Sequence, residues 1–380
     1  MSAPVAPPPL RRSGPAVLHV FRYFRPDFTG EGIYLEKLAP LLEARGIASD
    51  VAVAATPAPA VPPRPAGIGT IRYFGPAGDD RPRPNPRLLW WVLRHAGRYR
   101  VVHLHAMVDR LFLVPVLARL RGCRVIQSCT LDDGIGRVLG SYRGWRRPVA
   151  RWLMRSLHMV VAISPRLAED SRRVLPPGAV RLIPQGVVPP APAAEPRAAL
   201  RARLGLDPDV PVLLFVGSLS RRKGIDTLLA LARDLPAGTD ARLVIVGPDL
   251  EDDYAAAMRA AAGPRVRFVG YVDDPSPWYR AADMFVFASH AEGFGNVLLE
   301  AMAHGLPVVS RRLPGVTDSF IADGRTGILF DSDAALREAV LRLLAEPARA
   351  AAIGAAAAAA VRADYALPAI ADRYAALYEA

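Results

Sequence analysis

Short apolar segments recur along the chain, and each is followed by a polar turn and an amphipathic stretch. Residues 212–216 and 284–288 are apolar at every position, a pattern typical of strands that are covered on both faces of a parallel sheet. Residues 33–45 have helical periodicity, and Gly46 ends this stretch. Because strand and helix patterns alternate in both halves of the chain, the sequence predicts an α/β fold with two doubly wound parallel sheets.

The length of 380 residues suggests two domains, and proline marks the boundary between them. The segment 187–196 is dense in proline, as linkers often are. We therefore predict a tail at 1–15, a first Rossmann-like domain at 16–188, a linker at 189–196, a second Rossmann-like domain at 197–365 and a closing helix at 366–380.

The composition is that of a globular protein. Hydrophobic residues make up 51% of the chain, which excludes a mostly disordered protein. No apolar run approaches the roughly 20 residues that a membrane-spanning helix needs. The proline-rich start has no apolar signal core, so we expect a cytoplasmic protein. Cys123 and Cys129 form neither a disulfide framework nor a metal cluster.

The charge is divided unevenly between the two halves. Residues 1–190 carry a net charge of +16 and residues 191–380 a net charge of −4, so we expect an anionic partner for the first half alone. Residues 137–158 combine arginines with Trp, Tyr, Leu and Met at helical spacing. This pattern suits peripheral docking on the inner, anionic membrane face through residues 145–155. The alternative is a helix whose Trp and Met side chains face the core. No nucleic-acid-binding module is recognisable, so we expect no nucleic acid partner.

The segment 284–310 predicts a strand, a glycine loop, a short helix and a second strand. Asn296 is a suitable N-cap for a helix at 297–303, and the free N–H groups of a helix start favour an anion such as a phosphate. Glu292 lies in the loop and Glu300 lies inside the helix. Because ligands bind at the carboxyl ends of parallel strands, this unit is a candidate site. The alternative is a pair of ordinary solvated acids.

Three cations follow the first strand of the second domain, at the same sheet edge. Arg221, Arg222 and Lys223 are consecutive, and beside a helix start they would form a clamp for a diphosphate. The alternative is a solvated loop. Only two of the 48 basic residues are lysines, Lys37 and Lys223, which makes both worth inspecting.

A glycine loop follows the first strand of the chain. Gly30 and Gly32 would let the backbone approach a phosphate or a sugar closely. The third glycine and the acidic residue of a dinucleotide fingerprint are missing, so we reject NAD as a ligand. The alternative is a tight turn without a ligand.

Other strand ends of the first domain carry weaker candidates for the acceptor side. His103 and His105 share one face of a strand, and without further His or Cys nearby we do not expect a metal. Packing is the default role of His105, and an acceptor or sugar contact is the second. Thr130 and Asp133 lie in a polar turn at the end of another strand.

Glu292 and Glu300 match the paired-glutamate signature of the family 4 retaining glycosyltransferases, in which seven residues separate the two acids. The segment 292–309 resembles that family nearly residue for residue. The resemblance is strong over residues 210–345 and looser over residues 17–190.

This resemblance implies the GT-B architecture, in which two Rossmann-like domains face each other and the last helix returns to the first domain. It implies that Glu300 binds the ribose of a nucleotide, that Glu292 contacts the donor sugar and that Lys223 neutralises the diphosphate. The helix start would add backbone N–H groups from Phe294, Gly295, Asn296, Val297 and Leu298. Because the cations belong to the protein, no metal is required. The family transfers with retention, by same-face attack in which the leaving phosphate assists deprotonation of the acceptor.

Three departures from the family pattern stand out. Ser218 occupies a position where the family often has Arg. Arg221 or Arg222 can replace that missing arginine. Cys129 and Thr130 stand where the family often has His, which removes an expected sugar contact. Residues 185–188 read Gln-Gly-Val-Val in place of the usual Asn-Gly-Val-Asp.

We therefore expect a retaining glycosyltransferase of the hexosyltransferase type. Its co-substrate would be a nucleotide diphosphate sugar, with no cofactor, and its acceptor a glycan or lipid-linked molecule of cell-surface polysaccharide or glycolipid synthesis. The alternatives are a phosphorylase or a sugar-nucleotide epimerase on the same scaffold, or a nucleotide or lipid binder without activity.

Overall fold

A computed structural model of the chain describes residues 16–27, 29–61, 63–75, 85–105, 111, 113–130, 134–192 and 194–380. The chain folds as two parallel sheets with flanking helices, one sheet in each half. This architecture confirms the fold class that the alternation of strands and helices predicts. The tail at 1–15 and the candidate Asp133 lie outside the described residues.

The first sheet has seven strands in the order β3-β2-β1-β4-β5-β6-β7, and all neighbouring strands are parallel. Its central strands are buried along almost their whole length, because helices cover both faces. The strands are β1 (Ala16–Phe21), β2 (Ala48–Val53), β3 (Ile68–Tyr73), β4 (Val101–Leu104), β5 (Arg124–Cys129), β6 (Met159–Ala162) and β7 (Val180–Leu182). The described helices of this half are α1 (Gly30–Glu43), α2 (Pro86–His95), α3 (Val114–Leu120), α4 (Ile135–Ser141), α5 (Arg146–Met154) and α6 (Pro165–Arg172).

The second sheet has six parallel strands in the order β10-β9-β8-β11-β12-β13. They are β8 (Val212–Val216), β9 (Arg242–Val246), β10 (Val266–Gly270), β11 (Met284–Phe287), β12 (Val308–Arg311) and β13 (Ile328–Phe330). The helices are α7 (Arg197–Arg203), α8 (Ile225–Arg233), α9 (Asp252–Ala260), α10 (Ser276–Ala281), α11 (Asn296–Ala303), α12 (Asp333–Ala345), α13 (Pro347–Asp364) and α14 (Leu367–Glu379).

In each sheet the strand order reverses at one place. The reversal lies between β1 and β4 in the first sheet and between β8 and β11 in the second. Loops that leave two such strands diverge to opposite sides, so a crevice remains at their carboxyl ends where ligands bind. The cations Arg221–Lys223 follow β8 and Glu292 follows β11. The two candidate loops therefore flank the crevice of the second sheet.

The last helix packs on the first domain. Leu367, Ile370 and Tyr374 of α14 share one buried cluster with Val17 of β1 and Leu38 of α1. An ion pair joins Nε of Arg45 to a carboxylate oxygen of Asp372 at 2.6 Å. The closing helix thus ties the end of the chain to the half that carries its beginning.

The basic segment 137–158 forms two helices, α4 and α5, with a turn between them. Trp145 is 72% exposed and Trp152 is 54% exposed, whereas Met154 is buried. The interpretation in which both Trp and Met face the core is therefore wrong for the tryptophans. Within the described residues no single helix has the length and apolar character to cross a membrane. Among the helices that the structure describes, α12 and α13 meet that test as a pair, and they form an angle of 106° at their junction.

Candidate active site

The helix at the centre of the site starts one residue earlier than predicted. Its N-cap is Gly295 and not Asn296, and Gly295 has φ 103°, a left-handed conformation that side chains rarely adopt. Asn296 is instead the first helical residue. Its buried Oδ1 has no hydrogen-bond partner among the described residues. A hydroxyl group of a ligand bound at the helix start could donate a hydrogen bond to this unpaired acceptor.

The side chains of Phe294, Val297 and Leu298 pack in the core, and the N–H of Leu298 already donates to the carbonyl oxygen of Gly295 at 3.0 Å, so the prediction that Leu298 offers its N–H to a ligand is corrected. Leu298 is fully buried, and Phe294 is 3% exposed and packs against Phe320. Val297 is half-buried, and its carbonyl accepts a hydrogen bond from the hydroxyl of Tyr279 at 3.4 Å. These side chains fix the position of the helix in the core, and the helix start faces the crevice of the second sheet.

Lys223 and Arg222 converge on Glu292. Nζ of Lys223 donates to Oε1 at 2.6 Å, and a guanidinium nitrogen of Arg222 lies 2.9 Å from Oε2. Burial alone would raise the pKa of Glu292, but the two adjacent cations outweigh it and lower the pKa. The result is an ionised carboxylate between two cations at the carboxyl ends of β8 and β11.

The local backbone explains why these groups meet. Residues 221–223 form one turn of 3-10 helix that Gly224 ends in the left-handed conformation, with φ 65°. A Cβ at Gly224 would lie 2.4 Å from the carbonyl oxygen of Ala288, just after β11. The glycine therefore lets the cation loop pack directly on the chain that leads to Glu292.

Arg221 and Ser218 do not join this cluster. The side chain of Arg221 is 75% exposed, pairs with Glu251 at 3.7 Å and lies over the ring of Tyr254. Ser218 is half-buried at the end of β8. The prediction that all three cations form one clamp is thus corrected to two, because Arg221 faces the neighbouring loop.

Glu300 lies between the two domains. Its Oε2 accepts a hydrogen bond from the hydroxyl of Tyr279 at 3.1 Å, and its Oε1 accepts one from Nζ of Lys37, on α1 of the first domain, at 3.2 Å. Burial, and then the neighbouring Glu300, raise the pKa of Tyr279, so Tyr279 stays protonated and acts as the donor. The only two lysines of the sequence, Lys37 and Lys223, thus each engage one glutamate of the pair.

A second contact across the domains reaches the same loop. A guanidinium nitrogen of Arg166, on α6, donates to the carbonyl oxygen of Glu292 at 2.9 Å, and its backbone N–H donates to Gly315 at 3.1 Å. Sequence patterns gave no sign of Arg166 or Tyr279. The rarity of lysine marks Lys37 as worth inspecting, although no sequence pattern predicts its contact with Glu300.

The glycine loop of the first domain opens α1. The hydroxyl of Thr29 caps this helix by accepting from the N–H of Gly32 at 3.1 Å. A Cβ at Gly32 would lie 2.7 Å from that hydroxyl oxygen, whereas a Cβ at Gly30 would meet nothing within 4 Å. Packing therefore explains Gly32, and the surface at Gly30 is open.

Thr130 and His105 line one buried pocket of the first domain together with Glu31. The hydroxyl of Thr130 donates to Glu31, and Nε2 of His105 lies 2.9 Å from Nδ1 of His19. Burial raises the pKa of Glu31 to about 8, although the hydrogen bond from Thr130 acts in the opposite direction. Burial also lowers the pKa of His19 to about 3. At neutral pH the pocket therefore holds groups that are mostly uncharged. Neither Glu31 nor His19 was among the predicted site residues.

Two family models match the chain. Residues 28–189 match Glycosyltransferase Family 4, and residues 210–346 match Glycosyl transferases group 1. The first match covers most of the first sheet. The second match includes the cation loop, Glu292 and Glu300.

Individual proteins are similar over most or part of the chain. The D-inositol 3-phosphate glycosyltransferase of Segniliparus rotundus is 30% identical over 91% of this chain and 84% of its own length. The lipopolysaccharide core biosynthesis glycosyltransferase LpsE of Rhizobium meliloti is 38% identical over 34% of this chain and 38% of its own. Among solved structures, sucrose-phosphate synthase from Thermosynechococcus elongatus is 26% identical with a TM-score of 0.76, and the match covers 96% of this chain and 98% of that one.

Proposed function

The chain is a glycosyltransferase that belongs to family 4, group 1, and from this premise we propose that it takes a sugar from a nucleotide diphosphate sugar and transfers it with retention. The observation that carries the donor assignment is the convergence of Lys223 and Arg222 beside the start of α11. A leaving diphosphate develops negative charge, and fixed cations and helix N–H groups stabilise that charge.

Glu292 holds both cations in place before the donor binds. Its side chain is 9% exposed and that of Lys223 is 12% exposed, so their mutual attraction is little screened by water. An incoming diphosphate would take over the cations as partners. Glu292 would then be released to accept hydrogen bonds from hydroxyls of the donor sugar.

Glu300 is arranged to bind the ribose. Tyr279 orients one carboxylate oxygen, and Lys37 occupies the other. The Lys37 side chain is 44% exposed, so a ribose hydroxyl can displace it without leaving a buried charge unpaired. The unpaired Oδ1 of Asn296 offers a further acceptor for a donor hydroxyl.

The transfer would proceed on one face of the sugar. The bond between the anomeric carbon and the diphosphate oxygen breaks, and an acceptor oxygen forms the new bond on the same face. The proton of the acceptor hydroxyl passes to the departing diphosphate. Since Lys223 and Arg222 neutralise that group, the donor site needs no metal ion.

The proposed acceptor is a glycan or lipid-linked molecule of cell-surface polysaccharide or glycolipid synthesis, on the cytoplasmic side. The similarity to a lipopolysaccharide core glycosyltransferase supports this class of acceptor. His105 and Thr130, which line one pocket of the first domain, are the acceptor-side candidates among the described residues, and Gly30 is a candidate for the donor.

Nucleotide binding is the first test. We expect one of the nucleoside diphosphates UDP, GDP, ADP and CDP to raise the melting temperature, because a ligand that binds only the folded state stabilises it by about 2.7 kcal/mol at 100 times its Kd. The shift should be lost in Glu300→Ala and kept in Asp331→Ala, which changes an exposed acid of the same domain. Product analysis with the matching nucleotide sugars should then show transfer to a saccharide or lipid acceptor.

Other outcomes separate the alternatives. Phosphate-dependent release of a sugar phosphate would indicate a phosphorylase, and conversion of the donor without an acceptor would indicate an epimerase. Tight binding without turnover over a panel of donors and acceptors would indicate a binding protein. The absence of a thermal shift with every nucleotide at millimolar concentration would contradict the donor site itself.

We further propose that α5 and the turn before it dock on an anionic membrane. Trp145 and Trp152 are exposed, and so are Arg147, Arg151 and Arg155 on the same segment. Exposed aromatic and basic side chains together favour the interface of an anionic bilayer. Met154 is buried and holds the segment on the domain.

Charge reversal tests the docking. Because each basic residue near an anionic leaflet contributes about 1 kcal/mol, reversal of Arg147, Arg151 and Arg155 to Glu should weaken binding to vesicles of 30% phosphatidylglycerol by about 100-fold or more. Binding by the wild type should also weaken as salt rises. The matched control reverses three exposed arginines of the second domain, Arg325, Arg337 and Arg362, and should bind like the wild type. Equal vesicle sedimentation by the two triple variants would rule out this surface.

A further inference from the structure

Three histidines from two neighbouring strands meet in the core of the first domain. His19 of β1 and His103 of β4 are register partners, and His105 follows two positions after His103 on the same side. The ring centroids are 5.7 Å apart for His19 and His103, 5.2 Å for His19 and His105, and 4.3 Å for His103 and His105. The three rings therefore surround one small volume.

The spacing of their nitrogens is close to that of a metal site. One ring nitrogen of each histidine lies within 4.8 Å of those of the other two, and Nδ1 of His19 is only 2.9 Å from Nε2 of His105. In a tetrahedral site with metal–nitrogen distances of about 2.0–2.1 Å, the ligand nitrogens lie about 3.3–3.5 Å apart.

The cluster also has unused hydrogen-bonding capacity. Nδ1 is the nitrogen of His19 that faces His105, and Nε2 of the same ring is buried and has no hydrogen-bond partner among the described residues, which is uncommon for a buried polar atom. The ring of His103 has two hydroxyl partners, Tyr378 at 2.7 Å and Ser128 at 2.8 Å. An ion on Nε2 would replace Ser128 and leave Tyr378, on Nδ1, to orient the ring, as the outer partners of metal-bound histidines do.

We propose that His19, His103 and His105 form a binding site for a divalent transition-metal ion of the zinc type. Imidazole nitrogens suit Zn²⁺, Cu²⁺ and Ni²⁺, whereas Mg²⁺ and Ca²⁺ prefer oxygen ligands. The sequence argument against a metal counted His103 and His105 alone, and the neighbouring strand supplies the third ligand. Through the hydrogen bond of His103 to Tyr378 on α14, a bound ion would hold the closing helix on the first domain. This site does not depend on the proposed sugar transfer.

Zinc titration of untagged protein, stripped with a chelator beforehand, tests the site. We expect the wild type to bind one equivalent of Zn²⁺. Removing a ligand should cost more than the 10–100-fold loss typical of an outer partner, so His19→Ala and His103→Ala should each weaken binding by 100-fold or more. The variant Tyr378→Phe removes the outer hydroxyl that stays on His103 and should lose 10–100-fold. The control His158→Gln changes an exposed histidine and should bind as the wild type does.

Cobalt provides a spectroscopic readout of the site, and the spectrum of the wild type does not require any variant to fold. Co²⁺ in the wild type and in His158→Gln should give the intense visible d–d bands of a four-coordinate site, and His19→Ala should not. Substoichiometric zinc binding by the wild type, or equal affinity in His19→Ala, would overturn the proposal. The three rings would then be hydrogen-bonded only to one another, to their hydroxyl partners or to a buried water. If an alanine variant fails to fold, the stoichiometry and the cobalt spectrum of the wild type still decide.

Discussion

Replacing Lys223 by alanine is expected to lower kcat for sugar transfer by about 10²–10³-fold, the usual loss when one fixed group that stabilises transition-state charge is removed. The reason is the position of Nζ, 2.6 Å from Glu292, in a setting where its side chain is 12% exposed. The negative charge on the leaving diphosphate is greater in the transition state than in the bound donor, so kcat should fall more than KM rises. Steady-state kinetics with the donor identified by nucleotide binding measures both.

The control for this prediction is Arg233→Ala. Arg233 is an exposed cation of the same domain that pairs only with its neighbour Asp234 among the described partners, so its loss should leave kcat unchanged. The loss of kcat in Arg222→Ala should lie between the losses in Lys223→Ala and Arg233→Ala, because Arg222 contacts Glu292 but its side chain is 41% exposed. Wild-type activity in both Lys223→Ala and Glu292→Ala would falsify the assignment of the donor site.

Sequence patterns predict the part of this site that local rules determine. Fully apolar runs identified β8 and β11, and parallel pairing places their carboxyl ends at one edge. That argument was enough to bring the loops of Lys223 and Glu292 together. It did not give the direction of each side chain, and so Arg221 was predicted to lie in the clamp although it pairs with Glu251.

Contacts between distant segments are what the patterns miss. Lys37 and Glu300 are 263 positions apart, and they meet only because the two domains pack against each other. His19 and His103 belong to strands that are neighbours in the sheet but not in sequence. Tertiary packing decides which non-consecutive strands pair and how the domains meet. The periodicity of hydrophobic residues along the chain carries no information on either.

The carboxylate of Asp283 holds together the strands on which the cation clamp is built. It accepts hydrogen bonds from the backbone N–H of Val212 at 2.7 Å, from Arg197 at 2.6 Å and from Arg201. The side chain of Arg201 is 4% exposed and also donates to the carbonyl oxygen of Ala281 at 2.9 Å. One acid thus joins the starts of β8 and β11 to α7, at the opposite end of the strands from the clamp.

Asp283→Ala is therefore expected to destabilise the protein by about 2–3 kcal/mol, because the buried guanidinium of Arg201 loses its charge partner, while water partly screens Asp283, whose side chain is 32% exposed. Urea unfolding of the full chain measures the loss. Asp283→Asn keeps the shape and one acceptor oxygen, so its loss should be smaller. The control Asp234→Ala breaks an exposed pair and should leave the unfolding midpoint unchanged. A loss below about 1 kcal/mol in Asp283→Ala would mean that water reaches Arg201 easily, and that the backbone pairing of β8 with β11 holds the clamp without this acid.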